Sequence, residues 1–156
     1  MEEKDIVVDL LTVANAISIT GKKLLKNVVE KYNISYKEYY LLRHLEKIPG
    51  ETQYNILKYT TLTKSRTNQI VTKLEKMGYL EKKVEMAGLL LKKPLYLTKL
   101  GKRIVEEGRE NIYKDTIKNI SDEEKLKYKL HRSKIIEILV DMKFTLRSIT
   151  PEYLKK

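Results

Sequence analysis

The sequence lacks several residue types on which common protein functions depend. Among its 156 residues there is no cysteine, no tryptophan and one phenylalanine. The absence of cysteine excludes a disulfide framework, a thiol nucleophile and a thiolate metal site. Only two histidines, His44 and His131, are present, and no nucleophile elbow, phosphate loop or paired-carboxylate pattern accompanies them. We therefore predict that the protein is not an enzyme and has no catalytic residues, no metal site and no cofactor.

Long apolar runs are also missing. No stretch approaches the roughly 18 consecutive apolar residues that a membrane-spanning helix requires. The chain begins with the acids Glu2, Glu3 and Asp5, rather than with the basic flank of a signal peptide. We expect a soluble, cytoplasmic protein that does not bind membranes.

Positive charge is abundant and unevenly distributed. The formal net charge is +11, and the segment from Lys58 to Arg103 contains twelve Lys and Arg residues against three acids. That segment therefore carries most of the excess in about a third of the chain. A lysine-rich but solvated surface would be expected to spread its charge evenly, so the pattern favours a binding surface for nucleic-acid phosphates.

Apolar residues recur at helical spacing near both ends of the chain. Ile6, Leu10, Val13 and Ile17 belong to the stripe of a helix from about Glu3 to Lys31. Near the other end, a capping-box sequence at 121–124 precedes a second stripe, made of Leu126, Leu130, Ile135, Ile138, Leu139, Met142, Leu146 and Ile149. Because a small central domain cannot cover both faces, we predict a homodimer. The predicted dimerisation region comprises 1–33 and 109–156.

Start and stop signals divide the middle of the chain into short elements. They predict helices after Ser35, Thr52 and Thr63, a helix end at Gly78, and strands at 80–84 and 89–97 joined around Ala87-Gly88. This order is typical of a winged helix-turn-helix. We therefore predict a mainly α fold with a small two-stranded β-wing, a DNA-binding domain at 34–108, and long dimerisation helices on both sides.

The helix at 63–77 is predicted to be the recognition helix, which enters the major groove while the wing at 80–97 follows the backbone. Its first turn carries Lys64 and Arg66 and no acid, although helix starts favour acids, so an anion is expected there. Ile70, Leu74 and Met77 are expected to face inward, so the polar side chains fall largely on the opposite side. The candidates for base reading are Ser65, Arg66, Asn68, Gln69 and Lys73. The candidates for phosphate contacts are Lys58, Lys64, Lys82, Lys83, Lys92 and Lys93. A solvated polar helix face is the alternative interpretation.

From Ile34 to Gly108 the chain resembles the MarR family of dimeric winged-helix transcription regulators. The matching segments are Leu62-Thr63-Lys64-Ser65, IVTKLEKMGYL at 70–80 and LTKLG at 97–101. They are similar to the family's leucine-serine-lysine-serine opening, its leucine-glutamate-lysine-x-glycine helix end and its leucine-threonine-x-x-glycine after the wing. The resemblance implies a homodimeric, sequence-specific double-stranded DNA-binding regulator, predicted to be a repressor, that binds an inverted-repeat operator.

The predicted wing departs from this family pattern. The family wing usually carries an aspartate-x-arginine pair whose arginine reaches the minor groove, whereas residues 84–91 read VEMAGLLL and contain no arginine. The alternative is therefore a winged-helix protein-interaction module that has lost operator reading and binds a protein through Leu89–Leu91.

The resemblance also implies a small aromatic or anionic effector bound between the dimerisation region and the winged domain. The candidates for such a crevice are Tyr32, Tyr36, Tyr39, Tyr40, Arg43 and Tyr113. Structural packing of the tyrosines is the alternative.

Overall fold

The computed structural model describes residues 3–60 and 62–141, most of which lie in helices. In chain order they form α1 (Glu3–Lys31), α2 (Tyr36–Lys47), α3 (Gln53–Leu57), α4 (Lys64–Lys76), β1 (Leu80–Lys82), β2 (Glu85–Ala87), β3 (Leu90–Lys92), β4 (Leu95–Leu97), α5 (Lys99–Thr116) and α6 (Asp122–Asp141). The predicted winged helix-turn-helix with a small β-wing is confirmed.

Short polar side chains begin the central helices as predicted. The hydroxyl of Ser35 accepts a hydrogen bond from the backbone N–H of Glu38 at 3.3 Å, and the Glu38 carboxylate accepts one from the N–H of Ser35 at 2.6 Å. The hydroxyl of Thr63 accepts from the N–H of Arg66 at 3.1 Å. These bonds satisfy amide groups that have no partner within their own helix. Gly78, with φ of +73°, follows the end of α4 in a conformation that favours glycine.

The wing consists of two short ladders rather than the two continuous strands that were predicted. β1 pairs with β4, and β2 pairs with β3, both in antiparallel register. Pro94 lies between the ladders, where its lack of an N–H interrupts the pairing, while its carbonyl accepts from the N–H of Lys83 at 3.0 Å. Gly88, with φ of +64°, lies in the turn of the outer hairpin.

One apolar core joins the last third of α1 to the winged domain. It is formed by α1, α2, α3, α4, β1, β4 and α5, and its fully buried side chains include Leu25, Leu42, Leu74, Leu95 and Ile104. α4 therefore rests on a packed core that also holds the end of α1.

The first part of α1 and the described part of α6 lie outside this core. Residues 5–20 are all exposed, and no side chain among residues 122–138 is buried. Of the predicted C-terminal stripe, Met142, Leu146 and Ile149 lie outside the described residues. Because α5 is continuous across residues 108 and 109, the predicted boundary between the two regions falls inside a helix. The division into regions stays a prediction.

Candidate nucleic-acid interface

α4 presents a polar face outward and an apolar face to the core. Ile70, Val71 and Leu74 are buried, as is Thr67. The outward face exposes Lys64, Ser65, Arg66, Asn68 and Gln69. The helical periodicity in the sequence had correctly placed Ile70 and Leu74 inside. It gave no indication that Thr67 is buried, because a threonine gives no apolar signal.

The N-terminal turn of α4 is cationic and open to solvent. It contains Lys64 and Arg66 and no acidic residue. The Arg66 guanidinium donates to the side-chain oxygen of Gln69 at 3.0 Å, one turn further along the helix. This bond holds two of the candidate base-reading groups together, so they are oriented before any ligand arrives.

α3 extends this surface beyond the residues that the sequence had indicated. The amide of Gln53 donates to the side-chain oxygen of Asn68 at 3.4 Å. Tyr54 is 73% exposed, and the ammonium group of Lys58 lies 5.4 Å from the centre of its ring. Neither Gln53 nor Tyr54 was a candidate, because only the fold places the start of α3 beside α4.

Lys73 is half-exposed on α4, where it borders a shallow groove with Asn68 and Gln69, but it is paired with α2. Its ammonium group donates to both carboxylate oxygens of Glu38, at 3.1 and 2.9 Å, and the Glu38 side chain is 5% exposed. A buried carboxylate that loses its partner is strongly destabilising, so this pair ties α4 to α2. In this conformation the Lys73 ammonium is occupied within the chain rather than presented with Arg66 and Gln69.

The lysines of the wing differ in how freely they are presented. Lys82 lies 3.7 Å from the carboxylate of Glu75, and Lys83 lies 3.4 Å from that of Glu81. Lys92 and Lys93 are exposed, and neither forms an ion pair with another residue of the described ranges. Lys64, at the start of α4, is likewise exposed and unpaired within the described part of the chain. These three cations are the most available for phosphates.

The predicted crevice residues do not line one common cavity, although the rings of Tyr39 and Tyr40 are in edge-to-face contact with their centroids 5.7 Å apart. The hydroxyl of Tyr32 donates to the Glu107 carboxylate at 2.6 Å, and that of Tyr39 donates to the Val105 carbonyl at 3.2 Å. Burial raises the pKa of Tyr39 to about 12. Tyr36 packs against the core, and Tyr113 is exposed on α5. Tyr32, Tyr36 and Tyr39 therefore have structural contacts within this chain.

Tyr40 and Arg43 do line a cavity of about 380 Å³ between α2, α3 and α4. The other residues that line it are Lys37, Leu41, His44, Ile56, Tyr59, Thr60, Leu62, Thr67 and Ile70. Burial lowers the pKa of His44, so this ring is predominantly neutral at pH 7. The Thr67 hydroxyl is buried and has no hydrogen-bond partner in the described structure. Because Thr67 and Ile70 belong to α4, the cavity borders the back of the helix that carries the polar face.

Neither a membrane span nor a metal cluster occurs in the part of the chain that the structure describes. No helix there has a sufficiently long apolar stretch to cross a bilayer. No group of three or more His, Asp or Glu side chains is arranged to hold a metal ion in residues 3–60 and 62–141.

Comparison with known proteins identifies the fold. No protein-family model matches the chain, and no curated protein matches it either. Among solved structures, the chain is similar to a MarR family protein from Bacillus stearothermophilus, with 19% identity, a TM-score of 0.70, and coverage of 90% of this chain and 100% of that one.

Two Staphylococcus aureus structures are also similar. One is a MepR–DNA complex, with 22% identity, a TM-score of 0.57, and coverage of 80% of this chain and 96% of that one. The other is MarR in complex with salicylate and kanamycin, with 21% identity, a TM-score of 0.64, and coverage of 89% and 97%. The chain therefore has the fold of MarR-family proteins, as its sequence motifs predicted.

Proposed function

We propose that this chain, which has the MarR-family fold, is a homodimeric transcription regulator that binds double-stranded DNA sequence-specifically and acts as a repressor. The observation that carries the proposal is the outward face of α4. It combines a cationic, acid-free first turn with side chains that match base edges, Arg66 for guanine and Asn68 and Gln69 for adenine. That one of the similar structures is a DNA complex supports the same assignment.

In this proposal α4 enters the major groove and the cations around it contact phosphates. Lys64, Lys92 and Lys93 are exposed and unpaired within the described residues, so they can approach the backbone without breaking an ion pair. Lys58, Lys82 and Lys83 add positive charge nearby. Phosphate contacts fix the position of the protein on the duplex, and the α4 side chains supply the sequence preference.

The homodimer is proposed from the uncovered face of α1. Its first half exposes a row of large apolar side chains, which include Ile6, Leu10, Val13 and Ile17. Contiguous apolar surface of this kind is normally buried against a partner. Two copies related by a twofold axis bind an inverted repeat whose half-sites lie about 10 bp apart.

Selection from random duplexes tests base reading by α4. Arg66→Ala is expected to relax the preference at one position of each half-site and to weaken binding to the selected sequence by about 1–3 kcal/mol. Lys92→Ala is the matched control, because it removes a cation but no base contact. It is expected to weaken binding to all sequences alike. It is also expected to reduce, by about one, the slope of log affinity against log salt concentration. Enrichment of the same sequences by wild type and Arg66→Ala contradicts the assignment.

Lys73→Ala belongs in the same experiment, because Lys73 was a base-reading candidate in the sequence. Its loss leaves the buried Glu38 carboxylate without a cation, so thermal unfolding is expected at a lower temperature than in wild type. The selected sequence is expected to stay the same. A changed sequence preference with unchanged stability would instead give Lys73 a direct role at the bases.

An effector site is proposed at the cavity between α2, α3 and α4. Its apolar lining, the cation of Lys37, the guanidinium of Arg43, which also pairs with Glu46, and the unpartnered Thr67 hydroxyl suit a small aromatic anion. One of the similar structures contains salicylate.

Salicylate is expected to raise the unfolding temperature of wild type and to weaken duplex binding, and Arg43→Ala is expected to reduce both effects. An unfolding temperature that stays unchanged at millimolar salicylate would contradict this site.

A further inference from the structure

The outermost part of the wing is apolar and exposed on both faces. We call residues 84–91 the wing tip. In its register Met86 lies opposite Leu91 and Ala87 opposite Leu90, so both faces of this small ladder carry apolar side chains. Leu89, next to the turn at Gly88, is 99% exposed. No side chain of residues 84–91 is buried by the described part of the chain.

Such a hairpin is poorly suited to remain in water. An isolated two-stranded ladder is marginally stable, and clustered exposed apolar side chains usually mark a binding surface. The wing tip therefore needs an occupant that receives a narrow apolar turn.

Four lysines at the base of the wing tip indicate the charge of that occupant. Lys82 and Lys83 precede the tip and Lys92 and Lys93 follow it, whereas Glu85 is its sole acid. This arrangement fits a polyanion. The apolar wing tip would meet the apolar interior of such a ligand, and the four lysines would meet the negative charge along its outer edge.

The wing tip is continuous with the surface of α3 and α4. Leu91, Lys92 and Lys93 line one shallow groove together with residues 52–55 at the start of α3. Gln53 in that groove is hydrogen-bonded to Asn68 of α4. The surface of α4 is therefore connected to the wing through the start of α3.

We infer that Leu89, at the end of the wing tip, wedges between adjacent base pairs from the minor groove and bends the duplex. This inference rests on the proposed function. Apolar side chains gain nothing from phosphates, whereas Leu and Met inserted from the minor groove partly unstack a base step and kink the helix. The minor groove is about 6 Å wide, which excludes an α-helix of about 10–12 Å diameter but leaves room for a single side chain such as that of Leu89. The tip thus replaces an arginine-based contact by an apolar one.

The flanking lysines would also suit the headgroups of an anionic bilayer. The groove that joins the wing tip to α3 and the Gln53–Asn68 bond favour the duplex, because they place the tip on the same surface as the candidate base-reading residues. Lipid binding is therefore treated as an outcome of the test.

The experiment measures the bend of a duplex that wild-type protein has selected, with a donor and an acceptor dye at its two ends. Wild type is expected to raise the energy transfer as it binds. Leu89→Ser is expected to bind about tenfold more weakly, because the burial of a leucine side chain is lost, and to leave the duplex nearly straight. Leu89→Met is expected to retain the bend, because methionine is also an apolar wedge. The unfolding temperatures of the three proteins are compared to show that each is folded.

The outcomes separate this inference from the proposed function. If wild type binds the duplex without bending it, or if Leu89→Ser bends the duplex as strongly as wild type, the inference that Leu89 is a wedge is overturned, while DNA binding stands. If wild type binds no duplex at all, both fail. If vesicles of anionic phospholipid retain wild type but not Leu89→Ser, and both bind the duplex equally, the wing tip is a lipid anchor and the wedge is again overturned.

Discussion

Gly101→Ala is expected to lower the free energy of unfolding by about 3 kcal/mol, near the upper end of the range for overpacked sites. A Cβ at this position would overlap the carbonyl oxygen of Tyr79 and lie 3.0 Å from its carbonyl carbon. This carbonyl cannot rotate away, because it also accepts hydrogen bonds from the N–H and the hydroxyl of Thr98, each at 3.2 Å. α5 would have to move away from the base of the wing. Urea unfolding measures the change.

Gly21→Ala is the matched control for this substitution. Gly21 is also a helical glycine, and a Cβ there meets only the Tyr40 hydroxyl at an ordinary 3.4 Å. Alanine is favoured over glycine inside a helix by about 1 kcal/mol, so this variant is expected to be slightly more stable than wild type. If both variants shift the unfolding midpoint in the same direction, the contact with Tyr79 is not the reason for glycine at 101.

Ile17→Asp is expected to separate the proposed dimer and to weaken operator binding by about 100-fold or more. Ile17 is 56% exposed in the single chain, so an aspartate disturbs little within one copy. Between two copies the same charge would be buried against an apolar face, which is unfavourable without a partner. A monomer that binds one half-site loses the avidity of two linked sites, which typically amounts to about 10²–10⁴ in affinity. Sedimentation gives the mass, and duplex titration gives the affinity.

Ala16→Asp introduces the same charge at the neighbouring position. Ala16 lies about 100° around the axis of α1 from Ile17, on the side that also carries Asp5 and Asp9. This variant is expected to sediment and to bind the duplex as wild type does. A dimer that survives Ile17→Asp, or one that is lost in both variants, would argue against this face of α1 as the interface.

Local signals in the sequence were sufficient to predict most of the helical framework. Ser35 and Thr63 cap their helices and Gly78 adopts a positive φ, because each of these features depends on a few adjacent residues. The apolar period of α4 likewise determined which face is open. The outward positions of Ser65, Arg66 and Gln69 followed directly from that period.

Contacts between distant residues could not be read in the same way. Lys73 pairs with Glu38 across 35 positions, and Tyr32 bonds to Glu107 across 75. The capping-box spacing indicates that Glu38 begins α2 but gives no sign of Lys73, and no pattern distinguishes Glu107 from a solvated acid. The tyrosines of the expected crevice were therefore grouped by residue type, whereas the fold gives Tyr32 and Tyr39 separate partners. Gln53 was missed for the same reason, because its neighbour Asn68 belongs to another helix.

The continuity of α1 has a mechanical consequence. Its last turns pack against α5 and α2 in the core, while the preceding 19 residues, from Glu3 to Gly21, extend about 27 Å along the helix axis. A tilt of only about 10° at the base would carry the far end through about 5 Å, which exceeds the rise of one base pair. In a twofold assembly, the angle between α1 and the core sets the distance between the two copies of α4. A small change in the bend of α1 near Gly21 would therefore change the half-site spacing that the proposed dimer can bind.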